Sequence, residues 1–254
     1  MKEIEKAFES TCTVLFGKKF GPIKDYAPWL LERIEEELVL KSPLSGKKFC
    51  AAGIPYYKKD LNGRLLPLDE SLEIGKKHIS QSEAEGLSLA NAKEKLGDIA
   101  YISSEISIGE NIGVVECAGK VSSQFCYHGT YYTFCKYCAY SWWPRQSEYV
   151  FGAETLLSSK FCIKCYSSTN LTRCFEVSDS NNCSDCYFCH NCENVTEGLF
   201  CFNAKGLRYA IGNKQVSREE YARVKKMLLQ FVAAELERKK KITGDIFSID
   251  TLVK

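Results

Sequence analysis

The chain has 254 residues, is 45% hydrophobic and 26% charged, and holds only 17 Gly and 6 Pro, a make-up that excludes disordered, collagen-like and linker-rich proteins. Its 34 basic and 32 acidic residues leave a net charge of +2, too little to draw it to nucleic acid or an anionic membrane. One number is unusual: 14 Cys accompanied by only 3 His.

Residues 1–98 balance 16 bases against 16 acids and read as a mixed α/β N-terminal capping region. The N-terminus carries Glu3, Glu5 and Glu9, and its longest apolar run, Thr13 to Phe16, falls far short of a signal-peptide core. No stretch approaches ~18 apolar residues, so no spanning helix is predicted. A cytoplasmic location is expected, where thiols stay reduced and abundant Cys means metal binding or small buried side chains. Pro28 to Lys41 is predicted helical, with Pro28 in the first turn and Leu30, Ile34 and Leu38 on one face. Lys41 to Gly63 is turn-rich, with Ser42-Pro43 and Asn62-Gly63. A second helix is predicted over Ser82 to Leu96.

The middle of the chain holds twelve of the Cys: Cys117, Cys126, Cys135, Cys138, Cys162, Cys165, Cys174, Cys183, Cys186, Cys189, Cys192 and Cys201. All share one three-residue register. Cut into twelves from Ser123, the chain reads SQFCYHGTYYTF, CKYCAYSWWPRQ, SEYVFGAETLLS, SKFCIKCYSSTN, LTRCFEVSDSNN, CSDCYFCHNCEN. The fourth column is then Cys126, Cys138, Val150, Cys162, Cys174 and Cys186, and the third is mostly aromatic, with Phe125, Tyr137, Tyr149 and Phe161. A fixed short period with aromatic and β-branched clusters predicts a mainly β fold, a β-solenoid of about 12 or 24 residues per coil over residues 99–214. A strand as short as Phe125-Cys126-Tyr127 cannot bury a face alone. Stacking the next coil ~4.8 Å away pairs its backbone and puts like residues on like. Small Cys, Val, Ala and Ser suit the narrow axis, while Cys at every third residue would spiral around an α-helix.

The same spacing has metal readings. Cys135-x-x-Cys138 and Cys162-x-x-Cys165 make a CxxC-x23-CxxC array within reach of a four-thiolate zinc site, although the repeat itself generates such pairs. Cys183, Cys186, Cys189 and Cys192 invite comparison with a ferredoxin run, but the fourth Cys comes one residue early and Glu193 stands where Pro would be. The expectation is a reduced thiol ladder without cofactor, with zinc or iron–sulfur as the alternative. Stacked Cys also lie at a separation a disulfide could bridge. His190 reads as an outward solenoid residue, His128 as a turn residue before Gly129, and His78 as exposed.

No G-x-S-x-G, P-loop, H-E-x-x-H or GxGxxG motif is present. Asp179, Asp185 and Glu197 could line a groove as carboxylates do in solenoid carbohydrate enzymes, but solvated turns explain them equally, and no enzymatic role is predicted. Trp142-Trp143-Pro144 interrupts the Cys pattern and reads as an exposed bulge or loop. Two adjacent Trp are costly to leave in water, so either they pack on a neighbouring element or they mark a partner site, and Trp142 and Trp143 are the candidate partner-binding residues.

Residues 215–254 are predicted as a C-terminal capping helix and tail. Ser217 with Glu220 makes a capping box, Tyr221, Val224, Leu228, Phe231 and Val232 form an apolar stripe, and Arg238 to Lys241 sit where a helix C-terminus favours positive charge. This helix is expected on the last coil and the N-terminal region on the first, because open solenoid ends expose unpaired strand edges. The stretch Cys201 to Lys214, with Leu207-Arg208, Tyr209, Ile211 and Asn213-Lys214, followed by Ser217-Arg218-Glu219-Glu220-Tyr221, resembles the ending of Cys-rich CxxC-repeat proteins from uncultured bacteria, archaea and large viruses. The resemblance covers about residues 117–225. Residues 139–161 depart from it in lacking Cys, and the family brings no known function. The sequence as a whole predicts a non-enzymatic structural or interaction protein that joins a protein partner or copies of itself.

Overall fold

A computed structural model describes residues 1–53 and 63–249. Its body is a parallel β-solenoid of about nine turns with about twelve residues per turn, which settles the coil length at the shorter of the two expected periods. Every parallel bridge along the body links residues twelve or thirteen apart: Val150 with Cys162, Cys162 with Cys174, Gly198 with Ala210 and, in the first coil, Ile106 with Gly119.

Each coil has four sides of three residues, and this is the source of the three-residue Cys register. From Ser122 to Gly212 every third residue has a positive φ, so the chain turns a corner after every three residues. The residue after each corner points at the axis, and all such positions from Ser123 to Ala204 are buried. A left-handed conformation is the normal province of Gly, Asn and Asp. Here Phe125, Tyr137, Tyr149, Phe161, Lys164 and Glu176 adopt it as well.

The corner geometry creates a backbone problem that polar interior side chains solve where they occur. Two N–H groups of each side join the ladder, as in Tyr127 N to Cys138 O at 3.0 Å and Tyr137 N to Gln124 O at 3.1 Å. The third, on the axial residue, points inward and must find a partner. Where serine stands one coil earlier, it supplies one. Cys135 N–H donates to Ser123 Oγ (3.0 Å), Leu171 N–H to Ser159 Oγ (3.1 Å) and Cys192 N–H to Ser180 Oγ (2.9 Å). The hydroxyls in turn donate to the carbonyl two residues back, as Ser159 does to Leu157 (2.9 Å). Axial Cys repeat the pattern, with Cys165 Sγ donating to Ile163 O and Cys174 O, both at 3.5 Å, and Cys201 N–H reaching Cys189 Sγ at 3.5 Å. Axial Cys is therefore a small polar group as much as a small apolar one.

Axial Val150, Ala153, Leu156, Leu171, Val177 and Val195 offer the residue above no side-chain acceptor, and two other positions meet the demand in their own way. Gly129 has no side chain to offer, and the hydroxyl of Tyr132 takes its place: a Cβ at Gly129 would stand 2.3 Å from it, and it accepts from Ser141 N at 3.3 Å. Pro144 lies above Tyr132, whose hydroxyl is engaged elsewhere, and carries no N–H to satisfy.

One outer face is apolar. The residues that follow the fourth column, Ala139, Phe151, Ile163, Phe175, Tyr187 and Leu199, are all buried beneath helices α1 (Lys2–Phe16), α2 (Ala27–Leu31) and, after three short helices α3 (Leu68–Ile74), α4 (Gln81–Glu85) and α5 (Ala92–Lys95), α6 (Arg218–Lys239). Helix α1 buries Ile4, Ala7, Phe8, Thr11, Cys12, Leu15 and Phe16, a single stripe at helical spacing. Phe8 meets Phe151 edge-on at 5.3 Å and Phe16 meets Phe175 at 5.0 Å. Eight helical residues rise ~12 Å and two coils ~9.6 Å, so α1 runs along the solenoid axis, one turn of helix per coil.

Several expected elements differ. The helix expected over Pro28 to Lys41 is only α2, because Leu38–Lys41 (β1) pairs antiparallel with Lys48–Ala51 (β2) and buries residues at period two, not 3.6. The helix expected over Ser82 to Leu96 is split into α4 and α5, with Gly86 ending the first. Asn62 of the expected Asn62-Gly63 turn lies outside the described residues. The caps also sit differently. Leu65 pairs with Ile102 at the first coil and Tyr221 of α6 meets Tyr209 near the last (5.7 Å), but most of α1, α2 and α6 covers the side of the solenoid. The C-terminal ladder is closed by Lys214–Gln215 folding back antiparallel on Arg208–Ile211. Asn213 assists with its amide bonded to both Phe202 N (2.8 Å) and Phe202 O (2.7 Å). Ser217 caps α6 through Glu220 N (3.1 Å), but the Glu220 carboxylate pairs with Arg223 and does not close the box.

Candidate functional site

The predicted metal ligands all point at the axis, in three separate layers. Cys135 and Cys138 occupy adjacent axial positions of one coil, and Cys162 and Cys165 those of the coil two further on. Ser147, Val150, Ala153 and Leu156 fill the layer between them, all buried, so ~9.6 Å of stacked chain keeps the two pairs from converging on one tetrahedral ion. Cys183, Cys186, Cys189 and Cys192 fill all four axial positions of a single coil, a concentration no other coil reaches. Cys174 lies beneath Cys186, and Cys201 above Cys189. Among the described residues all thiols are free, and no three His, Cys, Asp or Glu side chains stand in metal-holding geometry.

These thiols hydrogen-bond to one another and to carbonyls. Placed so that its S–H can be given to the sulfur of Cys174, Cys183 or Cys189, the Cys186 thiol is pushed up. Acceptance from Cys189 brings Cys201 down to about 7, against its burial. The direction follows from position: a sulfur that receives an S–H is eased toward thiolate, and the donor is held as thiol.

The histidines stand away from the axial thiols. His190 faces outward as expected, 2.8 Å from Ser178 Oγ and 3.5 Å from Asp179 Oδ2. His128 is a corner within strand Tyr127–Thr130, 3.4 Å from Glu116 Oε2. Among the carboxylates weighed for catalysis, Asp185 pairs with Arg173 at 2.6 Å and Glu197 lies 3.6 Å from Arg208.

The tryptophan pair forms no bulge. Trp142 ends the strand Ala139–Trp142 and is 8% exposed, paired in register with Thr130 and Glu154. The repeat continues unbroken because Trp143 takes a corner and Pro144 an axial position. Trp143 is 44% exposed, and Phe134, at the next corner around and one coil below, is 56% exposed. Tyr131 lies against Trp143 at 6.1 Å, and the Arg145 guanidinium covers the Trp143 ring at 5.4 Å. The result is an aromatic corner in solvent on the side of the solenoid away from the helices.

Two further features were not legible as sites. Under the helices, Lys164 is fully buried, its Nζ 2.9 Å from Trp29 O and 3.1 Å from Glu32 Oε2. Glu176, one coil above, is also fully buried and accepts from Ile246 N at 3.1 Å, while Arg33 pairs with Asp245 beside it. Burial lifts the Glu176 carboxyl from 4.5 to about 8, despite nearby Lys164. The only signal in sequence is that both belong to the corner column beside the apolar face. The second feature is a groove of about 810 Å³ between α1, α6 and the solenoid, where Tyr187, Tyr221, Lys225 and Asp185 meet Lys18 and Glu237. Lys225 lies 4.9 Å from the Tyr187 ring and 3.8 Å from Asp185, and Lys18 and Glu237 close on each other at 2.5 Å.

No protein-family model matches the chain, and comparison with curated proteins finds no match.

Proposed function

We propose that the protein is a non-enzymatic scaffold whose solenoid presents the Trp143 corner to a protein partner or to another copy in a larger assembly. The observation that carries this reading is the exposure of Trp143 and Phe134 at the two corners that flank one side of a rigid ladder. Large aromatic side chains left in water on a fixed framework are what interface hot spots are made of. The interior supports the same reading, since its thiols are spent on backbone carbonyls and face no solvent. Trp142 is packed, so the clean variant is Trp143→Ala alone. Sedimentation of the wild type at rising concentration, beside Trp143→Ala, tests self-assembly: loss of a larger species in the variant is expected. Unchanged association by wild type and variant would remove the corner as the contact.

A second reading rests on the coil of Cys183, Cys186, Cys189 and Cys192, where four soft ligands share one layer. Zinc or an iron–sulfur cluster held there would make the solenoid a metal protein. Metal analysis with thiol counting on anaerobically purified protein separates the two: unmodified thiols and no metal favour the scaffold, and stoichiometric zinc or iron replaces it.

A further inference from the structure

We infer that the Trp143 corner takes an acidic, apolar polypeptide segment, and that Arg145 is its carboxylate anchor. The inference rests on the partner-site reading of Trp143 and adds the chemistry of the partner. Arg145 follows Pro144 on an outer side of the coil, in parallel register with Thr133 and Leu157. Its guanidinium lies over the Trp143 ring at 5.4 Å. Its Nε is buried and has no hydrogen-bond partner, and among the described residues no carboxylate pairs with it. Two other buried or half-buried cations are matched, Lys164 by Glu32 and Lys225 by Asp185.

The surroundings are one-sided. Val121, Thr133 and Leu157 share the side of Arg145, with Phe134, Gln146 and Ser158 at its corner. Lys136 stands on the next side, one coil below Glu148. Glu148, close in sequence, turns onto the next side and pairs with Lys160 at 3.3 Å. Glu154 stands one coil beyond Trp142, across the corner. On Arg145's own side the first acid is Glu193, four coils away and already 2.8 Å from Lys205, a distance along the axis of ~19 Å.

A stacked guanidinium is a planar fork held in place before anything binds, and two parallel N–H groups match the two oxygens of a carboxylate. Aromatic side chains around it exclude water and take apolar neighbours of that carboxylate. A nucleic acid is the poorer match, because its phosphates call for a track of cations and this corner has Arg145 and Lys136 amid aromatics.

The test pans a phage-displayed dodecapeptide library on the full-length protein, with depletion on Trp143→Ala. Selected peptides are then synthesised and titrated by anisotropy against wild type, Arg145→Ala, Arg145→Lys and Trp143→Ala, each checked for wild-type thermal unfolding. The expected winners place Asp or Glu beside Trp, Phe or Leu. Arg145→Ala should weaken them tenfold or more, Arg145→Lys by less because charge stays and the fork goes, and changing the peptide acid to its amide should matter only when Arg145 is present. Neutral or basic winners, or equal binding by Arg145→Ala, overturn the acidic partner while leaving the Trp143 site standing. Failure to enrich anything over Trp143→Ala overturns both. Tighter binding of an oligogalacturonate or single-stranded DNA than of the best peptide overturns the polypeptide.

Discussion

The smallest unit of this fold is a residue that must turn a corner, followed by one that must enter the axis. A left-handed corner costs a side-chain-bearing residue ~1–2 kcal/mol, and most for a β-branched one. Thr155 holds such a corner at φ 49° with no side-chain hydrogen bond among the described residues. Thr155→Gly is therefore expected to stabilise the protein by ~1 kcal/mol, read as a rise in urea midpoint at unchanged slope; a loss of stability would mean the corners are not strained. The axial residue sets the opposite demand. Cys165 donates to two carbonyls and its sulfur receives the N–H of Val177. Serine can do all three, as Ser123 does elsewhere. Cys165→Ser should cost under ~1 kcal/mol, while Cys165→Val, close in volume but without donor or acceptor, should cost ~1–3 kcal/mol more through the orphaned groups. Equal costs for both would reduce axial Cys to a space filler. The Cys register was legible in the sequence because axial sites accept so few residue types. The corners were not, because Phe, Tyr, Lys and Glu occupy sites that sequence habit assigns to Gly and Asn.

At the scale of elements, the decisive feature is the apolar column Ala139, Phe151, Ile163, Phe175, Tyr187 and Leu199, which calls for helices on its face. That column stood beside the Cys column in the aligned sequence, but a column says nothing about which segment will cover it. The hairpin of β1 and β2 was misread as helix for a related reason: Leu30, Ile34 and Leu38 do fall at helical spacing, and only pairing with Lys48–Ala51 overrides it. Covering the face also traps carboxylates. Glu37 accepts from Ala118 N at 2.6 Å and Thr130 Oγ1 at 3.2 Å, and burial lifts it, like Glu176, from 4.5 to about 8. Arg33 and Asp245 also face Glu176, as does the Tyr166 phenol, which burial pushes up. A carboxyl raised in the folded state binds more protons there than in the unfolded chain between those two values. Its stabilisation is complete below about pH 4.5 and is lost as pH rises through 8. The protein should thus unfold at a higher temperature near pH 5.5 than at pH 8.5, and Glu37→Gln with Glu176→Gln should flatten that slope. A wild-type profile that rises toward pH 8.5 would show that both carboxyls ionise freely in the fold.

The whole molecule behaves as a stack in which each coil touches only its neighbours, so its stability is a sum of local terms and its ends are the weak points. Helices running along the axis work against this, since α1 spans the coils from Phe151 to Phe175 and ties them into one unit. Past Leu199 that support thins, and the terminal coil depends on the antiparallel return of Lys214–Gln215 and on Asn213, whose amide imitates one more rung of ladder against Phe202. Asn213→Ala removes both bonds from Phe202 and leaves its N–H and C=O to water. Hydrogen exchange is the right measurement, because it reports local opening below the global unfolding free energy. Amides from Phe200 to Ile211 should exchange about tenfold faster, the effect of losing ~1.4 kcal/mol of local stability, while those from Val150 to Cys165 keep their wild-type rates. Equal acceleration in both segments would mean that the coils open together, with the lateral helices and not the ends governing how the stack comes apart.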